Sequence, residues 1–170
     1  DGVCDLGFVG ANETQEKGAD ITVLRGLDYG ICRLSLAARK DGDIQSIADF
    51  EGKSIATSYP NLTRKFFEER DINAEIVTIS GAVEIAPRLE VADAICDLVS
   101  TGNTLKANGL EELETILESE TQLIRTNKKL SPGKQQLIEK FLQRMDGHQQ
   151  AERSRYIMMN APEESVPKIK

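Results

Sequence analysis

The fold of this chain is predicted from one stretch, Ala92-Asp93-Ala94-Ile95-Cys96-Asp97-Leu98-Val99-Ser100-Thr101-Gly102-Asn103-Thr104-Leu105. Its apolar run from Ala94 to Val99 predicts a short buried strand, which Asp97 interrupts. Small hydroxyl side chains and one glycine follow the strand, and a helix-compatible run begins near Leu105. A strand, a small hydroxyl-rich turn and a helix start, in this order, predict a binding site for an anion.

The turn from Ser100 to Thr104 has the composition of a phosphate-binding loop. Gly102 lets the backbone turn so that successive N–H groups point inward. The hydroxyl groups add donors, and the helix start adds partial positive charge. Since each hydrogen bond to a charged oxygen contributes roughly 1.5–3 kcal/mol, four or five would hold a phosphate without a lysine. Taken alone, the pattern also fits a solvated loop in which Asp97 caps a turn.

Two carboxylates, Asp93 and Asp97, lie just before this turn and would repel a bound phosphate. They are therefore expected to bind something else, either the hydroxyl groups of a sugar that carries the phosphate or a nearby Mg²⁺ ion. A sugar 5-phosphate is the ligand that suits both halves of the stretch.

The composition is that of an ordinary globular protein. The 170 residues are 39% hydrophobic and 29% charged, with a formal net charge of −7. The negative charge argues against a nucleic-acid partner, and no run approaches the ~18 apolar residues of a membrane span. Because the sequence starts without a basic and then apolar stretch, no secretory leader is expected. Three cysteines, Cys4, Cys32 and Cys96, form no C-x-x-C pair, so we expect buried, reduced thiols in a cytoplasmic protein.

The segment from Glu84 to Leu105 resembles the signature of the ATP phosphoribosyltransferase family, which acts first in histidine biosynthesis. The match ends on the run Asp97 to Leu105, and Glu90 stands where the family pattern has glycine. The phrases at residues 1–10, 58–60 and 154–162 extend the resemblance over nearly the whole chain. The last of them is similar to the opening of the regulatory domain in the long forms of the family.

This resemblance implies an α/β fold with two lobes, like a type II periplasmic binding protein, joined by hinge strands. We expect residues 1–37 and 119–150 to form an incomplete first lobe. Residues 38–118 would form the second lobe with the phosphoribosyl-pyrophosphate loop. Residues 151–170 would begin a truncated, ferredoxin-like regulatory domain, whose first strand spans residues 156–162. The chain is then a fragment, cut at both ends.

The resemblance also implies a reaction, the transfer of phosphoribosyl from 5-phosphoribosyl 1-pyrophosphate to N1 of ATP with release of pyrophosphate. The cofactor would be Mg²⁺, bound through the substrate, and no covalent nucleophile is expected. The implied ligands of phosphoribosyl pyrophosphate are Asp93, Asp97, Ser100, Thr101, Gly102, Asn103 and Thr104. Tyr59 and Glu84 are weaker candidates for the ATP side. The full-length family forms homo-oligomers, as dimers or hexamers, and histidine is its feedback inhibitor.

Three alternatives remain open at this point. Another phosphoribosyltransferase would share the acidic, glycine-containing loop. A two-lobed module that binds a small ligand without chemistry would share the fold. Thirdly, the fragment itself would bind phosphoribosyl pyrophosphate and catalyse nothing if its missing part contacts the pyrophosphate.

Several local patterns give further expectations. Leucines at positions 105, 110, 113 and 117 predict a largely helical segment over residues 105–117. A helix beginning at Ser131 would bury an apolar stripe that includes Leu137 and Phe141. His148 is expected at the surface and not in a catalytic group. Tyr59 either stacks on a base or packs on its own helix, and Glu84 either faces a ligand or stabilises a helix start.

Overall fold

The computed structural model describes residues 3–153, 155, 157–160 and 162. The chain divides into two compact units, one ending at Asn127 and the other beginning at Lys128. The strands of the described residues are β1 (Leu6–Gly10), β2 (Ile21–Gly26), β3 (Cys32–Arg39), β4 (Ser54–Thr57), β5 (Glu75–Thr78), β6 (Ala94–Val99), β7 (Leu110–Ser119) and β8 (Thr121–Thr126). The α-helices are α1 (Ala11–Glu16), α2 (Pro60–Glu68), α3 (Asn103–Ala107) and α4 (Pro132–Arg153).

The strands form two sheets, and the predicted α/β class is confirmed. A three-stranded sheet has the order β1-β8-β2, in which β8 runs antiparallel to both neighbours. A five-stranded sheet has the order β5-β4-β6-β3-β7. Both β3 and β7 belong wholly to the larger sheet. The predicted lobe boundaries, which fall after residues 37 and 118, stay a prediction.

Strand β3 lies inside the larger sheet because its sequence suits burial on both faces. Its consecutive residues Leu34 to Ala38 are all buried, and β3 pairs with β6 on one side and β7 on the other. A strand covered on both faces needs a continuous apolar run and not an alternating one.

Two apolar clusters cover the two faces of the larger sheet. Successive residues alternate between them, so Leu36 and Cys96 lie in one cluster, and Ala37 and Ile95 lie in the other. This period of two is the expected consequence of strand geometry. The thiol of Cys96 is buried as predicted, and burial raises its pKa to about 12. Cys4 is exposed, so the prediction of a buried thiol is wrong there.

The site is positioned by the parallel strands β4, β5 and β6. Strand β4 runs parallel to both of its neighbours, so the carboxyl ends of all three lie at one edge of the sheet. Three polar turns meet at this edge, beginning at Ser58, Ser80 and Ser100. The carboxyl edge of parallel strands is where open α/β sheets bind their ligands.

The helix predicted over residues 105–117 is wrong beyond its first turn. Helix α3 ends at Ala107, and β7 occupies Leu110–Ser119, paired antiparallel with β3. Leucine and glutamate favour helix in isolation, but pairing along the whole length of β3 outweighs that preference. Two irregularities in the β3–β7 register also blur the alternation that would have indicated a strand.

The second unit contains α4, which begins at Pro132, one residue after the predicted start. Its apolar stripe is not core, because Leu137 is 68% exposed and Phe141 37% exposed. His148 is exposed, as predicted. Of the strand predicted at 156–162, residues 157–160 form no strand, and positions 156 and 161 lie outside the described residues. No helix in the described part of the chain is long and apolar enough to cross a membrane.

Candidate functional site

The loop after β6 presents a row of backbone donors. Gly102 has φ 75°, in the left-handed region that glycine adopts readily, and it precedes the first residue of α3. Among the described residues, the backbone N–H groups of Thr101, Gly102, Asn103 and Thr104 donate no hydrogen bond. The side chains of Ser100, Thr101, Asn103 and Thr104 are exposed. The loop can therefore offer amides and hydroxyls to one anion.

Asp97 lies on β6, three residues before this loop, and is near enough to Glu84 to interact with its charge. Glu84 sits in a short 3₁₀ helix, Val83–Ile85, that follows β5. Burial raises the pKa of Asp97, a hydrogen bond of 2.8 Å from the Leu98 N–H to its Oδ1 lowers that pKa, and the charge of Glu84 raises it. The structure thus brings these two predicted carboxylates to the same edge as the loop.

Asp93 is not brought to the loop. It immediately precedes β6, and Ser100 follows its far end, seven extended residues or roughly 23 Å away. The Oδ2 of Asp93 accepts hydrogen bonds of 2.8 Å from both the backbone N–H and the hydroxyl of Ser54. These bonds lower the pKa of Asp93. Its role is to tie the amino ends of β4 and β6 together.

Tyr59 lies at the carboxyl edge of β4, but its ring is only 8% exposed. Its hydroxyl accepts a hydrogen bond of 3.0 Å from Asn12 Nδ2 and donates one of 3.2 Å to Glu13 Oε1. Burial raises the pKa of Tyr59 to about 12, and the nearby charges of Glu13 and Asp97 add to that shift. The packed side chain therefore offers no open ring face on which a base could stack.

Helix α1 supplies contacts to this edge that the sequence did not indicate. The carboxylate of Glu16 accepts hydrogen bonds of 2.9 Å from the backbone N–H groups of Asn61 and Leu62, in the first turn of α2. A carboxylate there satisfies orphan donors and the positive end of the helix. Because Glu16 lies more than 40 residues earlier in the chain, no local capping pattern could have identified it.

Glu90 has φ 56°, in the left-handed region that glycine adopts more readily than other residues. A side chain there costs roughly 1–2 kcal/mol, and glycine recovers most of that cost. We expect Glu90→Gly to raise the free energy of unfolding by about 1 kcal/mol in urea titrations. Arg88→Gly, at a position without positive φ, is the control and should lower it. Equal losses in both variants would contradict the prediction.

The carboxylates suit a metal ion that arrives with its ligand. In the part of the chain that the structure describes, no three His, Cys, Asp or Glu side chains are grouped closely enough to hold a metal. Mg²⁺ commonly binds through one or two carboxylates together with substrate phosphates. Asp97 and Glu84, whose mutual repulsion contributes to the raised pKa of Asp97, fit that smaller role.

Together, the two sheets, with their set of parallel strands, define the class of fold, a two-lobed α/β protein. The chain is similar in fold to the substrate-binding protein of an amino acid ABC transporter, with a TM-score of 0.57 and 16% identity. That alignment covers 75% of this chain and 59% of the other. At this identity the likeness concerns the fold alone.

The family is defined by closer matches. The family model described as HisG, ATP phosphoribosyltransferase, matches residues 1–147, and the chain belongs to this family. An ATP phosphoribosyltransferase from Parabacteroides distasonis is 46% identical over 99% of this chain. A chain of the ATP phosphoribosyl transferase (HisG:HisZ) complex from Thermotoga maritima superimposes with a TM-score of 0.75 at 30% identity, covering 86% of this chain and 70% of that one. The chain spans 59% of the length of the Parabacteroides relative.

Proposed function

We propose that this chain forms part of the catalytic region of an ATP phosphoribosyltransferase. It would transfer phosphoribosyl from 5-phosphoribosyl 1-pyrophosphate to N1 of ATP and release pyrophosphate. The observation that carries the proposal is the position of Asp97 beside a loop with four unpaired backbone amides, at the carboxyl edge of three parallel strands.

The loop would hold the 5-phosphate of the sugar. The amides of Thr101 to Thr104 donate to its oxygens, and the hydroxyls of Ser100, Thr101 and Thr104 add further donors. Because these donors are already arranged before the ligand arrives, little reorganisation opposes binding. Backbone N–H groups also keep their protons when pH changes near neutrality, whereas a histidine side chain gains or loses one.

Asp97 would accept hydrogen bonds from the ribose hydroxyls. Burial and the charge of Glu84 both disfavour its ionised form, and hydrogen bonds from hydroxyl groups would favour that form again. In the reaction the bond between C1 and the pyrophosphate oxygen breaks, the bond to N1 of adenine forms, and positive charge develops on the ribose ring. A carboxylate close to that ring stabilises the charge.

The ATP side would be formed by Glu84 and Tyr59. Glu84 is near enough to Asp97 to interact with its charge, and the Tyr59 hydroxyl is oriented by Asn12 and Glu13. Asp93 is left out of the proposed site, because it is hydrogen-bonded to Ser54 at the opposite end of β6.

Several properties follow from the family and are part of the same proposal. Mg²⁺ would accompany the pyrophosphate, and its chemistry would be charge neutralisation of the leaving group. The protein would act in the cytoplasm as a homo-oligomer, and histidine would inhibit it through the regulatory domain. These functions would belong to the whole protein. The curated relative is longer than this chain, which spans 59% of its length.

The second candidate function is ligand binding without chemistry. The fold is shared with a transporter's substrate-binding protein, which favours this alternative over an unrelated enzyme class. The proposed transferase function includes the case in which this chain binds phosphoribosyl pyrophosphate but requires additional residues for turnover.

The test is formation of phosphoribosyl-ATP by this chain and by a chain extended at both ends to the length of its relatives. We expect turnover in the extended chain, and binding of phosphoribosyl pyrophosphate by both in calorimetry with Mg²⁺. Binding without turnover in both chains would support the binding module. Absence of binding in both would refute the proposed site.

A further inference from the structure

Arg33 forms the most extensive side-chain contacts near the candidate loop. It lies at the start of β3, the strand between β6 and β7. Its Nε donates to Glu112 Oε1 at 2.5 Å and its Nη2 to Glu112 Oε2 at 2.6 Å, a two-pronged pairing with a carboxylate on β7. Ser35 Oγ donates to the same Oε1 at 2.8 Å, so Glu112 is itself held in place.

A third contact of Arg33 reaches the loop. Its Nη1 donates to the backbone carbonyl of Ser100 at 3.2 Å. The Ser100 carbonyl and the Thr101 N–H belong to one planar peptide unit, in which C=O and N–H point in opposite directions. A donor that holds this carbonyl therefore directs the Thr101 N–H away from Arg33.

We propose that Arg33, held by Glu112, is a positioning residue that fixes the first amide donor of the phosphate-binding loop. The inference rests on the proposed function, in which this loop binds the 5-phosphate. Arg33 acts through the Ser100–Thr101 peptide and need not touch the substrate. Glu112 acts one step further back, by fixing the plane of the guanidinium group.

The geometry of the pair explains why arginine is needed at this position. Three of its five N–H donors are used in fixed directions, two on Glu112 and one on Ser100. Lysine has a similar charge but no planar fork, so it cannot hold a carboxylate and a carbonyl in one geometry. Because Glu112 balances the charge of Arg33, the pair contributes orientation to the loop more than net positive charge.

The experiment measures calorimetric binding of phosphoribosyl pyrophosphate with Mg²⁺, of ribose 5-phosphate and of ATP. We expect Arg33→Lys to weaken binding of both sugar phosphates by roughly tenfold, since one charge-assisted hydrogen bond loses its alignment. Binding of ATP should change less than twofold. Arg64→Lys, the same exchange on an exposed residue of α2, should leave all three affinities unchanged.

Glu112→Gln tests the same pair from the other side and carries the test if Arg33→Lys does not fold. It should weaken sugar-phosphate binding severalfold, whereas Glu114→Gln, two residues along the same strand and exposed, should not. The double variant Arg33→Lys with Glu112→Gln should bind about as weakly as Arg33→Lys alone, because both changes act on the same Ser100–Thr101 peptide unit.

The outcomes separate this inference from the proposed function. If the unsubstituted chain binds no sugar phosphate, the proposed function fails. If it binds and the Arg33 and Glu112 variants bind equally well, the positioning role is overturned. Equal weakening for ATP and for the sugar phosphates would also overturn it, because that pattern indicates general damage to the fold.

Discussion

Gly102→Val is expected to abolish binding of phosphoribosyl pyrophosphate. A Cβ at this position would meet only Val99 Cγ1, at 3.9 Å, so the substitution causes no collision. Its effect comes from φ 75°, which a β-branched residue strongly disfavours. The turn would relax to negative φ and redirect the amides on either side of it. Losing two or more such donors weakens binding by roughly 10²–10⁴-fold, which calorimetry would register as no binding.

Gly109→Val is the matched control for this prediction. Gly109 has φ 72° and nothing within 4 Å of an added Cβ, so the conformational cost is the same, in the turn between α3 and β7. We expect a similar loss of stability in urea titrations and unchanged affinity for phosphoribosyl pyrophosphate. Loss of binding in both variants would show that backbone strain, and not the phosphate loop, is responsible.

Asp97→Asn is expected to weaken binding of phosphoribosyl pyrophosphate by roughly tenfold or more and to stabilise the free protein at neutral pH. The affinity falls because a charged acceptor of ribose hydroxyls becomes neutral. The stability rises because burial and the charge of Glu84 disfavour the charged form of Asp97, whereas asparagine is neutral and can still accept the Leu98 N–H. Calorimetry and thermal unfolding of both proteins check the two effects.

The pH dependence gives the sign of the stability effect. Because the folded pKa of Asp97 is raised above its unfolded value of about 3.9, its favourable contribution is complete below that value. It is lost as pH rises through the folded pKa. Asp97→Asn should therefore gain stability over the unsubstituted protein as pH rises from about 4 toward neutrality. An equal stability difference at all these pH values would contradict the assignment.

Asp93→Asn is the control and should behave in the opposite way. Hydrogen bonds from Ser54 lower the pKa of Asp93, so its contribution is present above the unfolded pKa and is lost as pH falls. We expect this variant to be destabilised at neutral pH and to bind phosphoribosyl pyrophosphate normally. Weaker binding by this variant would indicate that Asp93 does belong to the binding site.

The loop itself could be predicted because its parts are contiguous. A buried strand, a glycine with positive φ and the start of α3 follow one another within the run Ala94 to Leu105, so local rules suffice. The resemblance also suggests Glu84 as a ligand-facing carboxylate, and the structure places it near enough to Asp97 for its charge to raise the pKa of Asp97.

Other features depend on contacts that a single sequence does not encode locally. Asp93 and Asp97 look equivalent in the sequence, but four residues along a strand span roughly 13 Å, which places Asp93 at the wrong end. Strand β7 carries residues that favour helix, and only pairing with β3 decides its structure. The contacts of Glu16 with Asn61 and of Arg33 with Ser100 join distant segments. The spacing of apolar and polar residues along the sequence does not indicate such contacts.

The place of β3 in the larger sheet has a consequence for folding kinetics. Both of its neighbours, β6 and β7, come more than fifty residues later in the chain. Closing such long loops precedes any gain from pairing, so sheets of this kind assemble more slowly than structures built from local contacts. During synthesis β3 would leave the ribosome well before either partner, with an apolar strand unpaired on both edges. The segment that later supports the candidate loop is thus exposed to aggregation while the chain is incomplete.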